Sequence, residues 1–170
     1  VATACPKKSI DWRAGLALAP WCESPEDLRA ATLDLAVAQS PPDELFPGEV
    51  FDRTIHDGFV RTAYAGTGIL LVARPVFDTI AKQTPELAYR IPPDEDDAGA
   101  GPERHAFFDT LIHPRTRRYL SEDYAFCHRW RSCGGEIWLD VDTPVAHEGS
   151  HLFVSDLARR IELEGRRERG

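Results

Sequence analysis

Strand-like and helix-like stretches alternate along this chain, with glycine or proline at the changes, and this alternation constrains the fold more than any other feature. In residues 58–83, the strand-like GFVRTAYA ends at Gly66-Thr67-Gly68, and the short apolar run ILLVA follows, as expected of a buried strand. RPVFDTIAKQ then indicates a helix with Pro75 in its first turn. Strands that alternate with helices predict an α/β fold in which helices flank a mixed sheet.

Two further helices are predicted from capping signals and periodicity. In SPEDLRAATLDLAVAQS, residues 24–40, Ser24 is a capping residue, Pro25 enters the first turn, and two acids follow near the positive end of the helix dipole. Its apolar face would be formed by Leu28, Ala31, Leu35 and Ala38. Residues 155–168 are typical of a final amphipathic helix.

The stretch SEDYAFCHRWRSCGGEI, which begins at Ser121, places two carboxylates at the start of a predicted helix. Glu122 and Asp123 fall in the first turn, and Gly134-Gly135 ends the helix, because glycine tolerates a left-handed cap. Carboxylates at this position stabilise a helix by meeting its unpaired N–H groups and its dipole. The same position can also hold an ionised carboxylate at a sheet edge, where it accepts a proton from a hydroxyl. Both interpretations stay open on these residues alone.

The chain length and one loop indicate the domain organisation. A chain of 170 residues suffices for one globular domain with a core and is too short for two full ones, so residues 1–170 are predicted to form a single domain. Residues 91–104, IPPDEDDAGAGPER, are rich in proline, glycine and acid and have little to bury. They are predicted to form a mobile loop, either a lid or an ordinary surface loop.

Charge and hydropathy exclude several classes of partner. The net charge is −8, from 28 acidic and 20 basic residues, and nucleic-acid backbone requires clustered positive charge, so we expect no nucleic-acid binding. The basic end RRIELEGRRERG is interrupted by glutamates and indicates a solvated helix end. No apolar run approaches the roughly 20 residues that span a bilayer, and the first residues lack a signal-peptide pattern. We therefore expect no transmembrane segment and a cytoplasmic location.

Two other segments carry candidate ligand-binding residues. His147 in HEGSH follows the predicted strand EIWLDV, and a neutral imidazole there can ligate a divalent metal, with Asp142 and His151 as candidate co-ligands. The spacing H-x-x-x-H does not indicate a metalloprotease, because Gly149 interrupts the helix that such a site needs. In AGTG, residues 65–68, the glycines either admit a ligand close to the backbone or turn the chain between two strands.

Taken in order, these segments resemble one protein family. The order is AGTGILLVARPVFD, then FFD, then SEDYAFCHRWRSCGGEIWLDVDTPVAHEGS. It resembles the C-terminal half of an inverting, family-2-like nucleotide-sugar glycosyltransferase of the GT-A fold, which is Rossmann-like. In that family an acidic pair opens a helix E-D-x-x-F-C-x-R, a glycine and a strand follow, and His-x-Gly closes the unit. The resemblance covers residues 58–151 and implies that they form the acceptor side of the catalytic core.

The resemblance also implies a role for each matching residue. Asp123 matches the general base that takes the proton from the acceptor hydroxyl, and Glu122 beside it would orient the acceptor. His147 matches the histidine that helps to hold a divalent metal, Mn²⁺ or Mg²⁺, on the diphosphate. The loop beside the donor sugar and the acceptor is matched by Gly66, Thr67 and Gly68. The implied reaction moves a sugar from a nucleotide-diphosphate donor to a hydroxyl acceptor with inversion.

One part of the family pattern is not found in this sequence. The family's Asp-x-Asp metal motif lies in its N-terminal half, whereas Asp140-Val141-Asp142 follows the predicted base. The sequence also contains no methionine. These features leave two expectations open. Either the chain carries its own donor site, or it lacks the donor-binding half, is inactive by itself and can form a homodimer through an exposed apolar sheet edge.

Two other interpretations use the same residues. A non-catalytic module of this architecture would bind a sugar or a partner chain, and its binding would survive replacement of Asp123. A metal-dependent hydrolase would bind a metal tightly without any nucleotide. Its ligands would be Asp140, Asp142, His147 and His151.

Overall fold

The computed structural model describes residues 1–38, 49, 51, 53–91, 103–149 and 152–169. His151 and most of the predicted loop at 91–104 lie outside these residues. The chain divides into two compact units, the first formed by residues 1–71 and 137–170 and the second by residues 72–136. The single domain over residues 1–170 stays a prediction.

The described residues form five helices. They are α1 (Trp12–Leu18), α2 (Pro25–Ala31), α3 (Arg74–Gln83), α4 (Glu122–Ser132) and α5 (Leu157–Arg169). The second unit contains α3 and α4, and the first contains the other three. No helix in the described part of the chain combines the length and the apolar character that a bilayer crossing requires.

The strands are short. They are β1 (Ala2–Thr3), β2 (Pro6–Ile10), β3 (Leu33–Leu35), β4 (Val37–Ala38), β5 (Phe59–Thr62), β6 (Tyr64–Ala65), β7 (Ala88–Tyr89), β8 (Arg104–His105), β9 (Leu111–Ile112), β10 (Tyr119–Leu120), β11 (Ile137–Asp140), β12 (Ala146–Glu148) and β13 (Leu152–Val154). Strands β7 to β10 lie in the second unit, and the rest lie in the first.

The largest sheet lies in the first unit and is mixed. β11 is its central strand, with β1 parallel on one side and β5 antiparallel on the other. Alternate residues point to the core, so Val60 of β5 and Leu139 of β11 are fully buried. The other described strands pair two by two. The α/β class is therefore confirmed, but sheets this small do not by themselves identify a Rossmann-like topology.

The helices of the first unit pack around a small apolar core. The core residues are Leu18, Ala30, Ala31 and Leu163. α2 begins with a capping box, in which the Ser24 hydroxyl accepts from Asp27 N at 3.1 Å and the Asp27 carboxylate accepts from Ser24 N at 3.0 Å. The same carboxylate accepts from Arg159 Nη1 at 2.9 Å, which joins α2 to α5. The basic C-terminal segment is thus helical. Its beginning packs on α2, whereas residues 167–169 at its end are exposed, as expected of a solvated helix end.

Two predicted elements of the first unit also differ from the structure. The helix predicted over residues 24–40 ends at Ala31, because Leu33–Leu35 pairs with β2 instead of continuing the helix. The apolar run ILLVA is not a buried strand, since Ile69 is 51% exposed and Leu71 is 77% exposed. Within this run only Leu70 forms a β-bridge, to Ala2.

Candidate functional site

The predicted carboxylate pair opens α4 in the second unit, as the sequence indicates. Ser121 is the N-cap, with an extended backbone (φ −61°, ψ 170°), and its carbonyl accepts from Ala125 N at 2.7 Å. Glu122 is exposed and Asp123 is half-buried. The first turn of a helix carries N–H groups without intrahelical partners, which stabilise negative charge. Asp123 is therefore held at a fixed helix start and is not hidden in the core.

α4 is anchored by aromatic packing and by a buried arginine. Phe126, one turn after the carboxylate pair, is buried and stacks on Phe108 with ring centroids 4.5 Å apart. Arg129 Nη1 donates to the carbonyl oxygens of Phe107 at 3.1 Å and Asp109 at 2.6 Å. Burial lowers the pKa of Arg129 from its usual value. These contacts fix α4, and with it the carboxylate pair, within the second unit.

Sequence reasoning misses a histidine pair that involves α4. The rings of His113 and His128 are nearly perpendicular, with centroids 5.1 Å apart. His113 Nδ1 accepts from Thr116 N at 3.2 Å, so a neutral His113 carries its proton on Nε2. Burial, reinforced by His113, Arg131 and Arg129, lowers the pKa of His128 to about 4. His128 is therefore neutral at pH 7, and no sequence spacing signals this pairing.

The glycine segment that follows β6 packs closely against Cys5 within the first unit. Gly66 N donates to Ala36 O at 2.8 Å. A Cβ built on Gly68 would lie 2.6 Å from Cys5 Sγ, closer than real Cβ atoms approach other heavy atoms. Gly68 therefore packs directly on the Cys5 thiol. Gly66 is buried, Thr67 is half-buried and Gly68 is exposed, so a ligand can reach only the last two residues of the segment.

Gly68→Ala is expected to lower the free energy of unfolding by about 1–3 kcal/mol, because the new methyl group overlaps the Cys5 thiol and the two segments must separate. Urea denaturation measures this cost. In a Cys5→Ala background the same substitution should lower the free energy of unfolding by clearly less, because removal of Sγ leaves space for the new methyl group. An equal cost in both backgrounds would show that the thiol is not the obstacle.

His147 is oriented by a backbone carbonyl. It lies in β12, is exposed, and has its Nδ1 2.8 Å from Pro6 O. Because a carbonyl oxygen can only accept a hydrogen bond, Nδ1 carries the proton of the neutral ring and Nε2 keeps the lone pair. Histidines that bind metals adopt this arrangement, with the second ring nitrogen held by a hydrogen bond. His147 therefore fits the predicted role of a metal ligand.

The described residues contain no group of three or more His, Cys, Asp or Glu side chains arranged to bind a metal. Asp140 caps a turn instead, accepting from Thr143 Oγ1 at 2.6 Å and from Asp142 N at 3.0 Å. The Thr143 hydroxyl is the largest cause that lowers the pKa of Asp140. Of the four ligands of the hydrolase interpretation, His151 lies outside the described residues, and Asp140, Asp142 and His147 do not form a metal-binding group.

Two of the predicted site segments meet at one short stretch of the first unit. Cys5 contacts Gly68, and the next residue, Pro6, accepts the hydrogen bond from His147. The glycine segment and His147 therefore each contact the stretch Cys5–Pro6, although they are far apart in the sequence. Asp123 belongs to the second unit together with Glu122.

Comparison of the chain with protein-family models gave no match, and comparisons with curated proteins and with solved structures gave none either.

Proposed function

We propose that this chain is the acceptor-side part of an inverting glycosyltransferase of the GT-A fold, which moves a sugar from a nucleotide-diphosphate donor to a hydroxyl. The observation that carries the proposal is that the Gly66–Gly68 segment and His147 contact two consecutive residues, Cys5 and Pro6. In the family that the sequence resembles, these two segments serve the donor sugar and the metal on its diphosphate. A transferase uses both segments on one donor, and their contacts with consecutive residues support the proposal.

His147 would hold a divalent metal, Mn²⁺ or Mg²⁺, through Nε2. When bound, such a metal offsets the negative charge that collects on the leaving diphosphate. The chain itself contributes orientation, because the Pro6 carbonyl fixes both the ring and the tautomer of His147.

Asp123 is the general base in this proposal. The acceptor oxygen bonds to the anomeric carbon while the bond from that carbon to the diphosphate breaks, and the acceptor proton passes to the Asp123 carboxylate. Asp123 suits this role because it is only half-buried, at the start of a helix that Phe126 and Arg129 anchor. Glu122 is exposed beside it and can orient the acceptor by accepting a hydrogen bond from a second hydroxyl.

The proposal is tested by metal-dependent binding of the donor nucleotide. We expect at least one of UDP, GDP and dTDP to raise the thermal midpoint of the 170-residue chain only when Mn²⁺ is present, because the diphosphate supplies the remaining metal ligands. His147→Ala should remove this rise, whereas His56→Ala, an exposed histidine outside the predicted site, should keep it. No rise with any nucleotide would overturn the donor-site part of the proposal. A rise that survives His147→Ala would place the metal elsewhere.

A further inference from the structure

Lys8 lies on β2, two residues after the Pro6 carbonyl that holds His147. β2 contacts β12 and also Gly149, which follows the end of β12. Pro6 O bonds to His147, and the Lys8 side chain crosses Gly149. A Cβ built on Gly149 would lie 3.2 Å from Lys8 Cδ and 3.7 Å from Lys8 Cε. The aliphatic stem of Lys8 is therefore packed two residues from the proposed metal ligand.

The preceding lysine is engaged in a different contact. Lys7 Nζ lies 2.8 Å from Asp34 Oδ1, on the strand that pairs with β2. Lys8 is exposed, and its stem packs on Gly149, which has no side chain to pair with the ammonium. The two adjacent lysines therefore have different contacts, since Lys7 pairs with Asp34 and the Lys8 stem packs on Gly149. Lys7 thus provides a matched control for Lys8.

We infer that the Lys8 ammonium binds the phosphate oxygens of the nucleoside diphosphate beside His147, an inference that rests on the proposed transferase function. A chain with a net charge of −8 disfavours an anionic ligand, so a diphosphate site needs a local cation. A lysine ammonium is a compact point charge that suits phosphate oxygens. The glycine at 149 favours this placement, because a side chain there would crowd the Lys8 stem.

The inference is tested by calorimetric titration of the full chain with UDP, GDP and dTDP in the presence of Mn²⁺. Lys8→Ala is expected to weaken binding about tenfold or more, because a charge-assisted hydrogen bond to phosphate is lost. The factor should be similar for every nucleotide that binds, since Lys8 contacts the phosphates and not the base. Lys7→Ala should weaken binding less than about twofold, because its ion pair is exposed. Lys8→Arg should keep most of the affinity, since it keeps the positive charge.

Two results would overturn the inference. One is equal affinity in Lys8→Ala and Lys7→Ala, and the other is the absence of binding by all three nucleotides. In the first case the proposed function still stands, because it is judged separately by the thermal response of His147→Ala and by sugar transfer in Asp123→Asn. Conversely, nucleotide binding that depends on Lys8, in a chain whose transfer does not depend on Asp123, would support the inference and contradict the proposed base.

Discussion

Gly135→Ala is expected to lower the free energy of unfolding by about 3 kcal/mol, the upper end of what overpacking commonly costs. The indole of Trp130 covers this glycine, so a Cβ there would lie 1.9 Å from Trp130 Cε2 and 2.2 Å from Cδ2. These atoms belong to a rigid ring, and the whole ring must move to admit a methyl group. That movement breaks the hydrogen bond from Trp130 Nε1 to Glu136 O, which is 3.0 Å long. Urea denaturation followed by tryptophan fluorescence measures the loss.

The matched control is the preceding residue. Gly134 has a φ of +81°, and no atom of the described residues lies within 4 Å of its built Cβ. Gly134→Ala therefore adds backbone strain without steric overlap and should cost about 1 kcal/mol. In a Trp130→Ala background, Gly135→Ala should become nearly neutral. Similar costs for the two glycine substitutions would contradict the assigned packing of the indole.

The starts of α2 and α3 and the end of α4 could be predicted because their signals are local. Ser24 caps α2, Pro75 lies in the first turn of α3, and Gly134 takes the left-handed conformation after α4. Each signal depends on side chains within one turn of the helix end, and the linear sequence contains all of them.

Strand pairing could not be predicted in the same way, because it depends on distant partners. No strand is predicted at Pro6–Ile10, since proline followed by two lysines is untypical of a strand interior. The structure accommodates these residues by placing Pro6 at the first strand position and leaving Lys7 and Lys8 exposed. Pairing with this strand is also what turns Leu33–Leu35 from a predicted helix into β3. Helical periodicity alone cannot reveal that competition.

The same distinction between local signals and distant contacts applies to the candidate site. The position of Asp123 in a first helical turn follows from neighbouring residues and is confirmed. The tautomer of His147 and the approach of Cys5 to Gly68 depend on contacts between residues far apart in the sequence. Spacing and composition carry no information about such contacts. The sequence therefore predicts which segments form the candidate site, but not the contacts that fix their positions.

Asp123→Asn is expected to reduce sugar transfer by about a hundredfold to ten-thousandfold, the range that a general base contributes. The asparagine amide has nearly the size of the carboxylate and can still accept a hydrogen bond, but it does not take a proton from an attacking hydroxyl. Nucleotide and metal binding should stay at the wild-type level, because these depend on His147 in the proposal. The measurement is release of nucleoside diphosphate from a panel of nucleotide sugars, with and without hydroxyl acceptors, beside the thermal midpoint of each variant.

Substitutions of two other carboxylates of the second unit are the controls for Asp123→Asn. Glu122→Gln should mainly raise the KM for the acceptor, because in the proposed mechanism Glu122 orients the acceptor and Asp123 takes its proton. Asp78→Asn, at an exposed residue paired with Arg74 on α3, should leave transfer unchanged. If the wild-type chain binds nucleotide with metal but transfers nothing to any acceptor, the non-catalytic binding module becomes the better interpretation. If Asp123→Asn transfers at the wild-type rate, the base lies elsewhere, and the carboxylates at the start of α4 serve only to stabilise the helix.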